Sequence, residues 1–269
     1  MAEDGPAALT RSSLRVARVL GRGFALHLKM MMRSSFDGFL GVLWPLFFST
    51  LAFLMFRAGA GGESLVFASF GAAVMGIWSS TSTSAGQAMQ RERWHGTLEL
   101  LVSAPVHFAT VLLPVTVAMS AMGLYSMVAT LLLSRFVFGV DLPFEHPAAF
   151  AFAVVATVVS IGAMGFLLAV SFVRYRTAWA LGNLLEYPVW LIAGFLVPIA
   201  LLPGWVRPIS WLLAPTWGVA AIRDAASGGG AWPEIAMALG LGVVYLAIGI
   251  AVLETVLASA RRAGSLALS

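Results

Sequence analysis

Residues 148–173 read AAFAFAVVATVVSIGAMGFLLAVSFV, a run of 26 residues without a charged side chain. A helix of that length extends about 39 Å, more than the roughly 30 Å of a bilayer's hydrocarbon core. The rest of the chain has the same character, since 60% of its 269 residues are hydrophobic and only 10% are charged. A soluble protein of this length needs more charged residues to form its surface. The sequence therefore predicts an all-α integral membrane protein.

Five other apolar stretches are long enough to cross a membrane, giving six predicted spans in total. They are residues 38–56, 65–89, 106–133, 148–173, 177–202 and 235–260. Six crossings put both termini on one side. The loops on that side and the terminal segments contain 12 of the 16 Lys and Arg residues. Because basic residues accumulate on the cytoplasmic side, we expect both termini in the cytoplasm and the chain in the plasma or inner membrane.

Residues 11–33 precede the first span and have a strongly two-sided pattern. On a helix the basic side chains fall within a sector of roughly 60°, with apolar residues opposite. This pattern predicts an amphipathic helix in the headgroup plane, in contact with lipid; a merely solvated basic tail is the alternative. The predicted interfacial basic residues are Arg11, Arg15, Arg18, Arg22, Lys29 and Arg33, and the apolar ones are Val16, Ala17, Leu20, Phe24, Leu28 and Met31.

The segment 203–232, between predicted spans five and six, is apolar but interrupted by prolines and glycines. It cannot cross the membrane as one continuous helix. We expect short helical pieces at 206–213 and 216–224 that enter the membrane from outside and return, with tryptophans at the outer interface. An ordinary extracellular loop is the alternative.

A charged insert, QRERWHGTLELLVSAP at residues 90–105, separates predicted spans two and three. Thr97 is suited to cap a short helix, Glu99 lies in its first turn, and Pro105 ends it. Exposed apolar residues next to charged ones suit docking into a groove on a soluble partner. The residues predicted to dock are Arg91, Glu92, Arg93, Gly96, Thr97, Leu98, Glu99, Leu101 and Val102.

At this insert the chain resembles the permease subunit of ABC-2 type transporters. The family's loop after the second span has a charged pair, then Gly-Thr-Leu-Glu, apolar residues and a proline, matched here by residues 91–105. Leu43-Trp44-Pro45 and the stretches 198–203 and 215–223 also resemble family features. The resemblance implies a coupling helix at 97–103, a separate ABC ATPase subunit as partner, two copies of each subunit, and a pathway at the interface of the permease homodimer. Residues 196–198 and 202–205 look most like drug and antibiotic exporters of the daunorubicin-resistance kind.

The chain lacks the common phosphate-binding loop, which ends in Lys followed by Ser or Thr, because its only lysine, Lys29, precedes Met30. If ATP drives transport, ATP and Mg must then bind the partner subunit, with no cofactor in this chain. The chain has no cysteine and its histidines are scattered, so we predict no metal site and no catalytic centre. The basic residues lie beside apolar spans, which argues against nucleic-acid binding.

Two carboxylates fall within predicted spans. Glu186 is near the middle of span five, where an ionisable group is costly, so we predict a role in the substrate pathway together with Asn183 and Tyr187. The alternative is a structural role beside a helix break at Pro188. Glu254 is close enough to the cytoplasmic end to reach water. The hydroxyl-rich run 79–84 more often marks close helix packing than a substrate path.

The sequence thus favours a permease subunit of an ATP-driven exporter, not itself an enzyme, with a hydrophobic or amphipathic drug as cargo. Export of a polysaccharide or lipid-linked glycan is an alternative. An ion-driven carrier predicts inverted repeats and several buried charges, and an intramembrane enzyme needs a cluster of reactive side chains; neither pattern is visible.

Overall fold

The computed structural model describes residues 5–33, 43, 46–51, 53–54, 62–94, 107–172 and 178–263. These residues form helices and connecting turns, with no strand among them. The all-α prediction is therefore confirmed for the described part of the chain. The helices are α1 (Gly5–Met32), α2 (Gly62–Trp94), α3 (Phe108–Phe136), α4 (Pro147–Phe172), α5 (Ala178–Ile192), a 3₁₀ turn (Ile199–Leu201), α6 (Arg207–Trp211), α7 (Ala214–Ala226) and α8 (Trp232–Ala263).

Four of the described helices contain a stretch long and apolar enough to cross a membrane. The stretches are Ser64–Thr83, Phe108–Phe136, Pro147–Ser171 and Trp232–Thr255. They correspond to predicted spans two, three, four and six. The predicted first span lies largely outside the described residues, although residues 46–51 are helical. The count of six spans therefore stays a prediction.

The fifth predicted span differs from the structure. A single helix over 177–202 is wrong, because α5 ends at Ile192 and is about 22 Å long. Gly194 adopts a φ of 78°, the left-handed conformation that ends helices. The predicted break at Pro188 is also wrong, since this residue lies inside α5. Neighbouring helices make an internal proline tolerable in a membrane protein.

Helix α1 begins at Gly5, earlier than predicted, and packs against α3. Its partly buried residues recur every three or four positions, which defines one face of a helix. They are Leu20, Gly23, Phe24, His27, Leu28 and Met31. Four of them belong to the predicted apolar face, whereas Val16 and Ala17 are exposed. The apolar face of α1 therefore contacts protein, and its place in the headgroup plane stays a prediction.

Helix α7 packs among the long helices α2, α4 and α8. Nine of its 13 residues are buried. The predicted helical pieces at 206–213 and 216–224 correspond to α6 and α7, with bounds that differ by one or two residues. A loop spread over the surface would leave such a segment exposed, whereas α7 is packed within the bundle. Its depth in the bilayer stays a prediction.

The long helices approach one another at small residues. A Cβ on Gly123 would lie 2.4 Å from the Cα of Ile77, and one on Gly165 would lie 2.5 Å from the Thr81 side chain. The Ser80 hydroxyl donates a hydrogen bond to the Met119 carbonyl, 2.9 Å away, and so joins α2 to α3. Close packing through small residues is the usual way that helices associate in membranes. Within the run 79–84, Ser80, Thr81 and Ser82 are at such close contacts.

Candidate functional site

The charged insert begins inside a helix. Residues 90–94 continue α2, so the predicted helix start at Thr97 does not mark the first helical residue of the insert. Arg91, Glu92 and Arg93 belong to this helical extension, while the other predicted docking residues lie outside the described residues. Because α2 has 33 residues, it is about 50 Å long, roughly 20 Å more than the hydrocarbon core. One rigid element therefore joins the insert to the far end of the bundle.

Glu186 lies on α5 with the two residues predicted to accompany it. Asn183, Glu186 and Tyr187 are three or four positions apart, so they share one face of the helix. Glu186 and Asn183 are half-buried, and Tyr187 is 54% exposed. No ion pair among the described residues includes Glu186. The structure thus brings these three residues together beside an exposed surface.

That surface is rich in aromatic and leucine side chains. The rings of Tyr187 and Trp190 are 5.0 Å apart, and Phe48 packs against both at 6.2 and 4.9 Å. Leu184 and Leu191 are exposed on the same side of α5. A face of this kind can contact lipid, a second protein chain or an amphipathic ligand. We call Leu184, Tyr187 and Leu191 the α5 face.

Helix α5 is joined to α2 near Glu186. The fully buried Trp78 donates its indole N–H to the Glu186 carbonyl, 3.3 Å away. A Cβ on Gly182 would lie 2.5 Å from the Ser82 carbonyl oxygen, so the two backbones are in close contact. Helix α2 is therefore in direct contact with the helix that carries Glu186.

Arg223 on α7 is a further residue of interest, and it is not among the site residues that the sequence predicts. Its guanidinium group donates to the Gly194 carbonyl at 2.9 Å, the Phe67 carbonyl at 2.9 Å and the Phe195 carbonyl at 2.6 Å. The guanidinium carbon is 3.4 Å from the centroid of the Phe67 ring. A charge within the otherwise apolar stretch 214–223 was the signal that could have revealed it.

Burying this arginine is costly, because no carboxylate pairs with it among the described residues and its buried Nε has no hydrogen-bond partner there. Hydrogen bonds from a charged donor contribute about 1.5–3 kcal/mol each, and a desolvated cation–π contact about 2 kcal/mol, which offsets that cost. Helix α7, with 13 residues, is too short to span a membrane. Burial lowers the pKa of Arg223 from its usual 12.5 to about 9.

The predicted interfacial basic residues are on α1 or directly after it. Arg18, Arg22, Lys29 and Arg33 are exposed, as an interfacial charged face requires. The side chains of Arg11 and Arg15 are outside the described part of the structure. Glu254 is exposed on α8. Among the described residues no group of three or more His, Asp or Glu is placed to hold a metal ion.

Helices of this length and composition define a multi-pass membrane protein, and the comparison with known families identifies its kind. The model of the family described as ABC-2 type transporter matches residues 24–226, from within α1 to the end of α7. The chain belongs to the ABC-2 type transporter family. It is thus the membrane component of a transporter and not a catalytic subunit, and membership generally implies an ABC ATPase partner. No curated protein matches the chain.

Proposed function

We propose that the chain is the permease subunit of an ATP-driven exporter and that it docks a separate ABC ATPase through residues 90–105. The observation that carries this proposal is the family match over residues 24–226, which includes the whole of the charged insert. The unbroken course of α2 into that insert supports it. ATP and Mg bind the partner in this proposal, and both termini lie in the cytoplasm.

The mechanism is a rigid lever. ATP binding closes the partner dimer, which moves the docking segment and with it the cytoplasmic end of α2. The tight contacts of Trp78 with Glu186 and of Gly182 with Ser82 then move α5 as well. Rigid-body motion of this kind alternates the exposure of a pathway between two sides.

The pathway itself lies between two copies of the permease, along the α5 face. Leu184, Tyr187 and Leu191 are exposed in the single chain, with Asn183 and Glu186 at the edge of the surface that they form. An exposed apolar face next to a carboxylate suits a hydrophobic or amphipathic cargo, including one that carries a positive charge. A drug or antibiotic of this class is the cargo that we propose.

Reconstitution tests the proposal. The permease is co-expressed with a candidate ABC ATPase from the same organism and inserted into proteoliposomes, and ATP-driven uptake of the hydrophobic cation rhodamine 6G is measured. We expect uptake that requires ATP and both subunits, and that stops when the ATPase's phosphate-binding lysine is replaced. Uptake by the permease alone, driven by an ion gradient, would instead indicate a secondary carrier.

A further inference from the structure

Three separate parts of the fold meet at the Arg223 side chain. Arg223 belongs to α7, Phe67 to the first turns of α2, and Gly194 and Phe195 to the turn that follows α5. The three hydrogen bonds and the ring contact described above therefore join elements that are 28 to 156 residues apart in the chain. We call this arrangement the Arg223 clasp.

Gly71 on α2 gives independent evidence that α2 and the turn are in close contact beside Arg223. A Cβ on Gly71 would lie 1.7 Å from the Phe195 carbonyl oxygen and 2.6 Å from an Arg223 Nη atom. No residue but glycine allows α2 and the turn to approach so closely. The turn is itself fixed, because Phe195 is fully buried and Gly194 adopts a positive φ.

The clasp and the docking insert are far apart along α2. Phe67 and Trp94 are 27 residues apart on one helix, which corresponds to about 40 Å. The clasp is therefore at one end of α2 and the docking insert is at the other. The turn held by the clasp is also the end of α5, the helix that carries Glu186.

We propose that Arg223 is a positioning residue for transport: the clasp joins α2, the turn 193–196 and α7 into one body at the end of the bundle opposite the docking insert. This inference rests on the proposed function. Motion of α2 then reaches the end of α5 and the re-entrant helix together, which opens or closes the pathway at that end. Without the clasp, α2, the turn and α7 move independently of one another.

A chain without cysteine allows this to be tested by paired spin labels. One label is placed at Leu201→Cys, an exposed site after the turn. The other is placed at Glu145→Cys, an exposed site whose backbone N–H donates to the Ala226 carbonyl at the end of α7. The distance between the labels reports whether the turn and α7 move as one body.

The labels are measured in the full chain carrying Arg223→Lys or Arg223→Met. Lysine keeps the charge but cannot span three carbonyls, whereas methionine removes both. We expect a narrow distance distribution in the unsubstituted chain, a broader one for lysine and the broadest for methionine. The matched control is Arg18→Met, since Arg18 is exposed on α1 and contributes nothing to the clasp.

Transport provides the second readout. In proteoliposomes with the ATPase, we expect Arg223→Met to lower rhodamine 6G uptake about tenfold per folded molecule while basal ATP hydrolysis is retained. A residue needed only for folding would instead lower the yield, with normal uptake in the protein that folds. Unchanged label distances in both Arg223 variants, or broadened distances with normal uptake, would overturn the inference. If the unsubstituted complex transports nothing, the proposed function fails, while the label distances still decide whether the clasp holds.

Discussion

Helices α2 and α8 are both long enough to span a membrane, yet their surroundings differ. In α2, 72% of the spanning stretch is buried within the protein, compared with 22% in α8. The buried helix is the less apolar of the two, with a hydroxyl-rich run and glycines in contact with its neighbours. The exposed helix presents side chains such as Val243 and Ile248.

This difference follows from the way in which helices associate in a membrane. Lipid is as apolar as leucine, so helices gain little by burying leucine against each other and instead pack through small residues. Helix α2 has such contacts with α3, α5 and the turn after α5, and it continues into the docking insert. Helix α8 packs on α4 and α7 and otherwise faces outward. We therefore expect substitutions in α2 to affect folding and transport far more than matched ones in α8.

The largest difference is expected for glycine-to-alanine changes. Gly71→Ala introduces a Cβ where the Phe195 carbonyl lies, which should destabilise the fold by about 3 kcal/mol. Gly240→Ala in α8 has nothing within 4 Å of the new atom and should be neutral. Thermal unfolding of the two variants in the same detergent measures this difference in stability. Equal melting temperatures would mean that α2 is not closely packed at Gly71.

The next largest effect is expected at the C-terminal ends of the two helices. Arg93→Ala combined with Glu99→Ala should uncouple ATP hydrolysis from transport and lower uptake at least about tenfold, a change of about 1.4 kcal/mol. The matched pair, Arg261→Ala with Arg262→Ala, is in the last turn of α8 and should leave uptake near normal. Both pairs should retain their spans, as checked by circular dichroism. Wild-type transport in the first pair would refute the docking assignment.

A smaller difference in transport is expected between substitutions of the two carboxylates, Glu186 on α5 and Glu254 on α8. Glu186→Gln keeps the size of the side chain but removes its charge, so uptake of rhodamine 6G should fall several-fold, equivalent to about 1 kcal/mol. Glu254→Gln on α8 is exposed and should have no effect. Initial uptake rates at several probe concentrations measure both. The pathway role of Glu186 fails if transport of every substrate tested is unchanged.

The smallest difference concerns one hydrogen bond. Ser80→Ala removes the bond to the Met119 carbonyl and should lower stability by about 1 kcal/mol. Val243→Ala on the outward face of α8 should change it by less than about 0.5 kcal/mol. Unfolding in increasing concentrations of a denaturing detergent compares them. A larger loss for the valine variant would reverse the expected order.

Hydrophobic runs predicted the four long helices well, because helix length and composition are local properties of the sequence. The end of α5 was less predictable, since Gly194 ends the helix where the apolar run continues. Nor does the sequence indicate whether the apolar face of α1 contacts lipid or another helix, because both contacts require apolar residues. Arg223 was missed for a similar reason: its acceptors are backbone carbonyls, which leave no mark in the sequence.

The central claim, that the insert after α2 docks a cytoplasmic ATPase, is tested most directly by a single cysteine at Leu101. The chain has no other cysteine, so a photoreactive maleimide attached there reports only on this site. We expect it to cross-link to the co-expressed ABC ATPase in inverted membrane vesicles and to stay unlabelled by impermeant reagents in intact cells. Labelling from outside the cell, or no cross-link to an ATPase that is present, would contradict the claim.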